Sequence, residues 1–395
     1  MEFVGKKIHF IGIGGVSMMA LAKLCERFGA STSGSDQNIP PGHIASNIHS
    51  DIDIVIINGA IADDNPELTR AEELGIEIMS RANLLAHVEA KYKNRIAIAG
   101  THGKSTTTAM VGAILLLGGL NPTIHNGVED GLVIGGQDFF VTEACEFKKS
   151  FLSLSPTVAV VTNVDFDHVD CYKNLEEVKT AFTKFMDKAD VSFTSSDDIE
   201  CFEYTPGKYA FDVCDGENCV TVYLSVPGKH NVFNAHLAGM VGLHFGIEPM
   251  VIKDALESYS GIHRRWETIG KIGDTTIISE YAHHPREIEA SISSARSIYG
   301  ERFLFVFQPH TYTRTLALFD DFVRALSGTK CVLYKTFSAR EAKIGGGDAV
   351  DLADKLGVQY FSEAKELGVY LRDVAPKFDA IVLAGAGDMQ KHVSF

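Results

Sequence analysis

A glycine-containing loop carries the residues of this chain whose types and spacing are best suited to chemistry. It reads GTHGKS over Gly100–Ser105, follows the apolar run 95–99 and leads into a helix-like stretch that starts at Thr106. Glycines let backbone N–H groups converge on phosphate oxygens, and the N-terminus of the following helix adds its positive dipole end. In such loops the lysine reaches the β- and γ-phosphates and the serine hydroxyl binds magnesium. The loop therefore predicts phosphoryl chemistry, with Lys104 and Ser105 in those two roles.

The match to the full phosphate-loop pattern is incomplete, because Ile98 stands in the place of its first glycine. The alternative is a tight strand-to-helix turn that happens to contain Gly-Lys-Ser. A phosphoryl-transfer site also needs metal ligands from neighbouring strands. Glu143 closes the next β-like segment, and His168 follows the one after it. Since loops after parallel strands converge on one edge of the sheet, we expect Ser105, Glu143 and His168 to meet around magnesium.

A second glycine cluster, Gly12-Ile13-Gly14-Gly15, follows the apolar segment 7–11. It resembles a dinucleotide fingerprint whose third glycine is displaced, so it indicates a bound diphosphate without identifying the nucleotide. Asp36, about twenty residues further on, fits either a ribose hydroxyl contact or a turn aspartate. An oxidoreductase built on this loop is one alternative function.

Two adjacent pairs in the C-terminal part of the chain have polar side chains that suit ligands. Arg264-Arg265 is either an ordinary surface pair or a phosphate contact, since the planar guanidinium fork matches phosphate geometry. His283-His284 is not expected to bind a metal jointly, because neighbouring side chains at the end of a strand point in different directions. One of these histidines acting on a substrate is the better interpretation.

Composition limits the class of protein. The formal net charge is −15, which argues against partners such as nucleic acid or an anionic membrane. The longest apolar run, 109–120, is too short and too interrupted by glycine to cross a bilayer. Seven dispersed cysteines without a CxxC pair favour free thiols in the cytoplasm. Only Cys214 and Cys219 are close together, at a spacing that does not suit most structural zinc sites.

The alternation of β-branched runs with helical stretches predicts an α/β fold with mostly parallel sheets. A chain of 395 residues is too long for one core, and we expect three domains at 1–89, 90–261 and 262–395. Turn signals beside short strands predict a β-rich lobe over 192–226. The predicted strands lie at 7–11, 52–57, 95–99, 139–143, 158–162, 220–226, 276–279, 303–307, 331–334 and 380–384.

Six segments together resemble the Mur ligases, the cytoplasmic ATP-dependent enzymes that build the stem peptide of peptidoglycan. They are AGTHGKS, NVDFDHVD, PGKHNVFNAHLA, HFIGIGGVSMMALA, EYAHHPREIEA and FQPHTYTRTLALFDDF, spread over most of the chain. The resemblance implies a Rossmann-like N-terminal domain for a uridine nucleotide, a central P-loop-type domain for ATP and a Rossmann-like C-terminal domain for an amino acid. The last three segments are typical of the member that adds the first residue. The reaction so implied joins L-alanine to the carboxylate of UDP-N-acetylmuramate through an acyl phosphate, with Mg²⁺ as the metal.

The same resemblance implies a role for each matching residue. The catalytic residues are Lys104, His283 and Arg314. The ATP-binding residues are Gly100, Thr101, His102, Gly103, Lys104, Ser105, Thr106, His230, Asn231, Asn234 and one or both of Arg264 and Arg265. The substrate-binding residues are Gly12, Gly14, Gly15, Val16, Ser17, Asp36, His283 and Arg314. The metal ligands are Ser105, Glu143 and His168.

Three departures from the family pattern leave the finer specificity open. The stretch 144–149 (ACEFKK) replaces the usual acidic stretch, Thr311 stands where many members have arginine, and Glu280 stands where many have aspartate. A recycling ligase that adds a preformed tripeptide to the same nucleotide sugar is the nearest alternative. A catalytically silent nucleotide-binding protein is another. The oligomeric state and the preference for L-alanine over glycine or L-serine are likewise open.

Overall fold

The computed structural model describes residues 1–167, 171–195, 199–339 and 341–393. The chain is an α/β protein with mostly parallel sheets, as predicted. Its residues group into two compact units. The first comprises Met1–Asp165, Leu175–Ser195 and Met240–Ile247, and the second comprises Phe166–Asn174, Ser196–Gly239 and Glu248–Phe395. The domain boundaries at 89 and 261 stay predictions.

The first sheet of the first unit has four parallel strands in the order β2-β1-β3-β4. Its strands are β1 (Lys7–Ile11), β2 (Ser31–Ser35), β3 (Ile54–Ile57) and β4 (Glu77–Ser80), and its helices are α1 (Val16–Arg27), α2 (Pro66–Glu73) and α3 (Arg81–Glu89). The central strand β1 is buried except at Lys7, because a parallel sheet is covered by its crossover helices on both faces. The Gly12–Gly15 loop leaves the carboxyl end of β1 and enters α1.

The second sheet of the first unit has six strands in the order β10-β9-β5-β8-β6-β7. Its strands are β5 (Asn94–Ala99), β6 (Thr123–His125), β7 (Leu132–Val133), β8 (Phe139–Glu143), β9 (Val158–Val161) and β10 (Val191–Thr194), and its helices are α4 (Lys104–Leu117) and α5 (Leu175–Met186). All strand pairs are parallel except β6–β7. In the register of the sheet Ile98 lies opposite Glu143, and Ala99 lies opposite Val161. The three loops that follow these strands therefore start side by side at one edge of the sheet.

The second unit contains the predicted β-rich lobe as an antiparallel three-stranded sheet. Its strands are β11 (Cys201–Thr205), β12 (Lys208–Cys214) and β13 (Cys219–Tyr223), and the helices α6 (His230–His244) and α7 (Pro249–Ser258) follow. Cys214 and Cys219 lie directly opposite each other at the end of the β12–β13 hairpin and form a disulfide. The expectation of seven free thiols is therefore wrong for this pair, because the hairpin brings both side chains together. The other five cysteines are not assigned to a disulfide within the described ranges.

The last sheet has six strands in the order β14-β15-β19-β16-β17-β18, parallel except for β14. Its strands are β14 (Glu267–Ile272), β15 (Thr275–Glu280), β16 (Phe303–Phe307), β17 (Cys331–Tyr334), β18 (Tyr360–Phe361) and β19 (Ala380–Ala384). The helices are α8 (Pro285–Tyr299), α9 (Tyr312–Ala317), α10 (Phe319–Leu326), α11 (Ala349–Leu356), α12 (Ala364–Val374) and α13 (Met389–His392). Alternate residues of β16 enter two separate apolar clusters, one on each face of the sheet. None of the helices in the described ranges is long and apolar enough to cross a membrane.

Candidate active site

The loop between β5 and α4 has two positions whose backbone favours glycine. Gly100 has φ of +142°, and a Cβ at this position would lie 1.9 Å from Thr162 Oγ1. Gly103 has φ of +83° and is the N-cap of α4, which begins at Lys104. The N–H groups in the first turn of a helix have no partners within that helix, so they remain available to an anion. The loop is therefore built as a cradle for phosphate oxygens.

Lys104 is held over this loop by three acceptors. Its Nζ donates to the carbonyl oxygens of Gly100 (2.5 Å) and Thr101 (3.1 Å) and lies 2.9 Å from Glu146 Oε2. Burial lowers the pKa of Lys104, but the charge and hydrogen bond of Glu146, with the nearby Cys145 and Glu143, together leave the pKa raised. Lys104 therefore stays protonated in its partly buried position, as a fixed positive charge at the phosphate cradle.

The segment that follows β6 connects Ser105 to Glu143. Asn126 Nδ2 donates to the carbonyl oxygen of Ser105 (2.9 Å), and the N–H of Gly127 donates to Glu143 Oε1 (2.9 Å). Glu143 ends β8 and lies beside Ile98 in the sheet. A carboxylate and a hydroxyl are the oxygen donors that Mg²⁺ prefers, so these two residues fit the predicted metal. The third predicted ligand, His168, lies outside the described residues.

The first half of the NVDFDHVD motif is tied to the phosphate loop. Thr101 Oγ1 accepts from the N–H of Asp165 (2.9 Å), and the N–H of His102 donates to Asn163 Oδ1 (2.9 Å). Asn163 Nδ2 in turn donates to the carbonyl oxygen of His102 (2.9 Å). The loop after β9 therefore fixes the conformation of the phosphate loop.

The glycine cluster after β1 forms a tight turn that meets Asp36. Gly12 has φ of +84°, and its N–H donates to the carbonyl oxygen of Ser35 (2.8 Å). Gly15 is the N-cap of α1, whose first residues are Val16 and Ser17. A Cβ on Gly14 would lie 2.8 Å from Asp36 Oδ2, while Asp36 Oδ1 accepts from the N–H of Asn38 (3.0 Å). Asp36 thus closes a turn with one oxygen and faces the glycine loop with the other.

The HNVFN segment, with the predicted ATP-binding residues His230, Asn231 and Asn234, lies at the start of α6 in the second unit. Asn231 Nδ2 donates to the carbonyl oxygen of Pro227 (2.7 Å), and Asn234 Nδ2 donates to Asn231 Oδ1 (3.1 Å). Both asparagines are buried, whereas His230 is exposed. The hydrogen bonds fix the orientation of the two amide side chains.

Arg264 and Arg265 both pack on the ring of Tyr281, with guanidinium carbons 4.9 Å and 5.0 Å from its centroid. Arg264 Nη2 also donates to the carbonyl oxygen of Gly385 (2.6 Å) and to Gln390 Oε1 (3.0 Å). Burial lowers the pKa of Arg264. Both arginines therefore make contacts within the protein, and Arg265 Nη1 also lies 3.8 Å from Glu287 Oε1.

His283 and Arg314 belong to one cluster in the second unit, together with Asp167 and His310. Arg314 donates from Nε to Asp167 Oδ1 (3.1 Å), from Nη2 to Asp167 Oδ2 (3.4 Å) and from Nη1 to the carbonyl oxygen of His310 (2.9 Å). The rings of His283 and His310 are 6.2 Å apart. Burial lowers the pKa of His283 to about 3 and that of His310 to about 4. Both imidazoles are therefore neutral at physiological pH, next to a paired arginine.

Comparison with known proteins identifies the family. Three family models match successive parts of the chain: the Mur ligase family catalytic domain at residues 7–93, the Mur ligase middle domain at 98–205 and the Mur ligase glutamate ligase domain at 264–387. A UDP-N-acetylmuramate–L-alanine ligase of Lachnospira eligens is 37% identical over 97% of this chain and 96% of its own length. The chain belongs to the Mur ligase family.

Further relatives within the Mur ligase family support the fold at full length. The UDP-N-acetylmuramate–L-alanine ligase of Clostridium novyi is 35% identical over 98% of this chain and 96% of its own length. The crystal structure of the UDP-N-acetylmuramate–alanine ligase MurC from Thermotoga maritima superposes with a TM-score of 0.81 at 27% identity, covering 98% and 96% of the two chains. A murein peptide ligase from Psychrobacter arcticus has the same fold, with a TM-score of 0.68 at 21% identity over 98% and 97% of the two chains.

Several contacts of this Mur ligase involve residues to which the sequence assigned no role. Glu146 lies in the variant stretch 144–149, and its buried ion pair with Lys104 is a tertiary contact. Asp167 directly precedes His168 in the recognised motif, so its acidic side chain was a usable signal. Thr311, which replaces a common arginine, donates to Glu341 Oε1 (2.5 Å). Lys148, from the same variant stretch, donates to the carbonyl oxygen of Gly59 (3.4 Å).

Glu280, at the carboxyl end of β15, accepts two backbone hydrogen bonds in a buried position. The N–H of Trp266 donates to Oε2 (2.9 Å) and the N–H of Ala282 to Oε1 (3.1 Å). Burial raises the pKa of Glu280 from its ordinary 4.5 to about 7, although the charge of Arg265 opposes the rise. The folded protein therefore holds a proton on Glu280 that the unfolded chain releases at lower pH.

We expect Glu280→Gln to change the pH dependence of stability. A raised pKa contributes stability that is present below about pH 4.5 and is lost as the pH rises through about 7. Glutamine mimics the protonated acid, so the variant should match the parent near pH 4.5 and exceed its stability by about 3 kcal/mol above pH 7.5. Urea unfolding at both pH values, with Glu289→Gln on the same unit as control, measures this. A difference in unfolding free energy between variant and parent that does not change with pH would contradict a buried, protonated Glu280.

Proposed function

We propose that this chain joins L-alanine to the carboxylate of UDP-N-acetylmuramate with ATP as the energy source, in the synthesis of peptidoglycan precursors. The observation that carries the proposal is the glycine cradle with a charged, partly buried Lys104, in a chain whose near-full-length relatives bear that enzyme name. We place the reaction in the cytoplasm, where ATP is supplied.

The first step needs a site that reduces charge repulsion between two anions. A carboxylate oxygen attacks the γ-phosphorus of ATP, the bond to ADP breaks, and the product is an acyl phosphate. Lys104 and the first-turn N–H groups of α4 bind the phosphates and offset the negative charge that accumulates there. Mg²⁺, held by Ser105, Glu143 and His168, would supply further neutralisation of the phosphate oxygens.

The second step forms the peptide bond. The neutral amine of L-alanine attacks the carbonyl carbon of the acyl phosphate, and inorganic phosphate leaves with one oxygen of the former carboxylate. We assign the amino-acid side of the reaction to His283 and Arg314, since a guanidinium suits the carboxylate of an amino acid. Because burial lowers the pKa of His283 to about 3, this imidazole meets the substrate as a neutral polar group.

The nucleotide-binding roles follow the two glycine loops. We assign the uridine diphosphate group to Gly12, Gly14, Gly15, Val16, Ser17 and Asp36. We assign ATP to Gly100–Thr106, His230, Asn231, Asn234 and the arginine pair. One or both arginines of that pair would contact the phosphates, since the planar guanidinium fork matches phosphate geometry.

The proposal is tested by phosphate release with UDP-N-acetylmuramate, ATP and a panel of acceptors. We expect the highest kcat/KM with L-alanine, lower values with glycine and L-serine, and no release with UDP-N-acetylglucosamine, which lacks the carboxylate. A preference for a preformed tripeptide would identify a recycling ligase instead. No nucleotide-sugar-dependent ADP formation would favour a silent nucleotide-binding protein, and turnover of NAD(P)H would favour an oxidoreductase.

A further inference from the structure

A chain of four hydrogen bonds joins the N-terminus of α1 to the end of β8 within the first unit. Arg81 Nη1 lies 3.2 Å from Ser17 Oγ, Ser17 Oγ lies 3.0 Å from His125 Nε2, and His125 Nδ1 lies 2.9 Å from Thr142 Oγ1. Thr142 Oγ1 is 3.2 Å from the carbonyl oxygen of Glu143, the proposed metal ligand. The chain thus connects the first glycine loop with the end of the strand that carries the metal site.

The side chains of this chain hold one another in place. A guanidinium only donates, so Ser17 Oγ accepts from Arg81 Nη1. His125 is 2% exposed, and burial lowers its pKa to about 4, so its ring is neutral. Its Nε2 bonds to Ser17 and its Nδ1 to Thr142, and these two bonds fix the orientation of the ring. The fixed ring in turn positions the Ser17 hydroxyl that Arg81 contacts.

Arg81 is a cation for which the described ranges offer no ion-pair partner. It is the first residue of α3, is half-buried, and donates one hydrogen bond, to Ser17, among the residues that the structure describes. A guanidinium has five N–H donors, so further donors of Arg81 can serve an anion. Its hydrogen-bond partner Ser17 is the second residue of α1, next to the first-turn N–H groups of that helix.

We propose that Arg81 contacts the diphosphate of the nucleotide sugar, and that His125 acts as a positioning residue that holds Ser17 and Arg81 in place. This inference rests on the proposed function, because it takes the α1 loop to be the site of the uridine diphosphate group. Arg81 supplies a charge that the first-turn N–H groups of α1 lack. His125 makes no contact with the ligand and acts only through Ser17.

The test is equilibrium binding of UDP, UDP-N-acetylmuramate and ATP to the full-length protein and to Arg81→Met. Loss of one charge-assisted hydrogen-bonding contact should weaken both uridine nucleotides about ten- to hundredfold and leave ATP affinity within about twofold. Arg81→Lys keeps the charge and should recover part of the loss. Arg70→Met removes a cation from an exposed ion pair with Glu73 in the same unit and should bind like the parent.

The outcomes separate this inference from the proposed function. Unchanged UDP affinity in Arg81→Met would overturn the diphosphate contact. Weakening confined to UDP-N-acetylmuramate would also overturn it, because that result would assign Arg81 to the carboxylate of the nucleotide sugar. Equal loss of UDP and ATP affinity would also overturn it, since general damage affects both. Failure of the parent protein itself to bind UDP would contradict the proposed substrate as well. For His125→Phe we expect weaker UDP binding with unchanged ATP binding.

Discussion

Replacing Lys104 is expected to lower kcat for ADP formation by about 10²- to 10³-fold, the usual consequence of removing one preorganised donor to developing charge. The ammonium is held at the phosphate loop by Gly100, Thr101 and Glu146, so its charge is in place before the γ-phosphate arrives. Affinity for UDP should stay within about twofold, since the uridine nucleotide is assigned to the other glycine loop. Steady-state ADP release and equilibrium UDP binding measure the two effects.

Replacing Lys104 also removes the ion-pair partner of Glu146, which is 2% exposed, so the control variant must change both residues. Removing only the lysine leaves a buried carboxylate without its cation and destabilises the fold by about 3–5 kcal/mol. The double variant Lys104→Met with Glu146→Gln removes both charges and should restore thermal stability without restoring turnover. Normal ADP formation in either folded variant would contradict the assignment of the phosphate loop.

Replacing Glu143 by glutamine is expected to raise the Mg²⁺ concentration for half-maximal activity by about tenfold or more and to lower kcat. Glutamine keeps the acceptor for the Gly127 N–H but removes the negative charge that a divalent cation requires. A tenfold change in Mg²⁺ affinity corresponds to about 1.4 kcal/mol, which is the effect expected for the loss of one charged ligand. Magnesium titration of the initial rate at saturating ATP measures it.

Glu129→Gln provides the matched control, since Glu129 is an exposed carboxylate in the loop between β6 and β7. Its magnesium titration should coincide with that of the parent. If Glu143→Gln also gave a titration curve like that of the parent, Glu143 would not be a metal ligand and its role would reduce to holding Gly127.

The apolar strands were predictable from the sequence because burial on both faces requires continuous apolar runs. Strands β1, β5, β8 and β16 lie within one residue of their predicted positions. Strand β2 was not predicted, since Ser31–Ser35 (STSGS) has no apolar pattern and is held by its pairing with β1 at the edge of the sheet. Its position follows from tertiary contacts that no local pattern records.

The parts of the candidate site that lie in a loop motif could be predicted from the sequence. The parts that depend on contacts between distant segments could not. Gly100–Ser105 and Glu143 could be placed because parallel strands bring their ends to one edge. The pairing of Glu146 with Lys104 and the link from Arg81 to Thr142 depend on side-chain packing between segments far apart in sequence. The Cys214–Cys219 disulfide was missed for a related reason, since only the hairpin register places the two residues opposite each other.

The central claim is that the phosphate loop transfers a phosphoryl group to the carboxylate of the nucleotide sugar. The most direct measurement uses UDP-N-acetylmuramate with ¹⁸O in the carboxylate, together with ATP and L-alanine, and analyses the released phosphate by mass spectrometry. Formation of an acyl phosphate predicts one ¹⁸O atom in each inorganic phosphate released. Inorganic phosphate released without ¹⁸O while the peptide bond forms would contradict it.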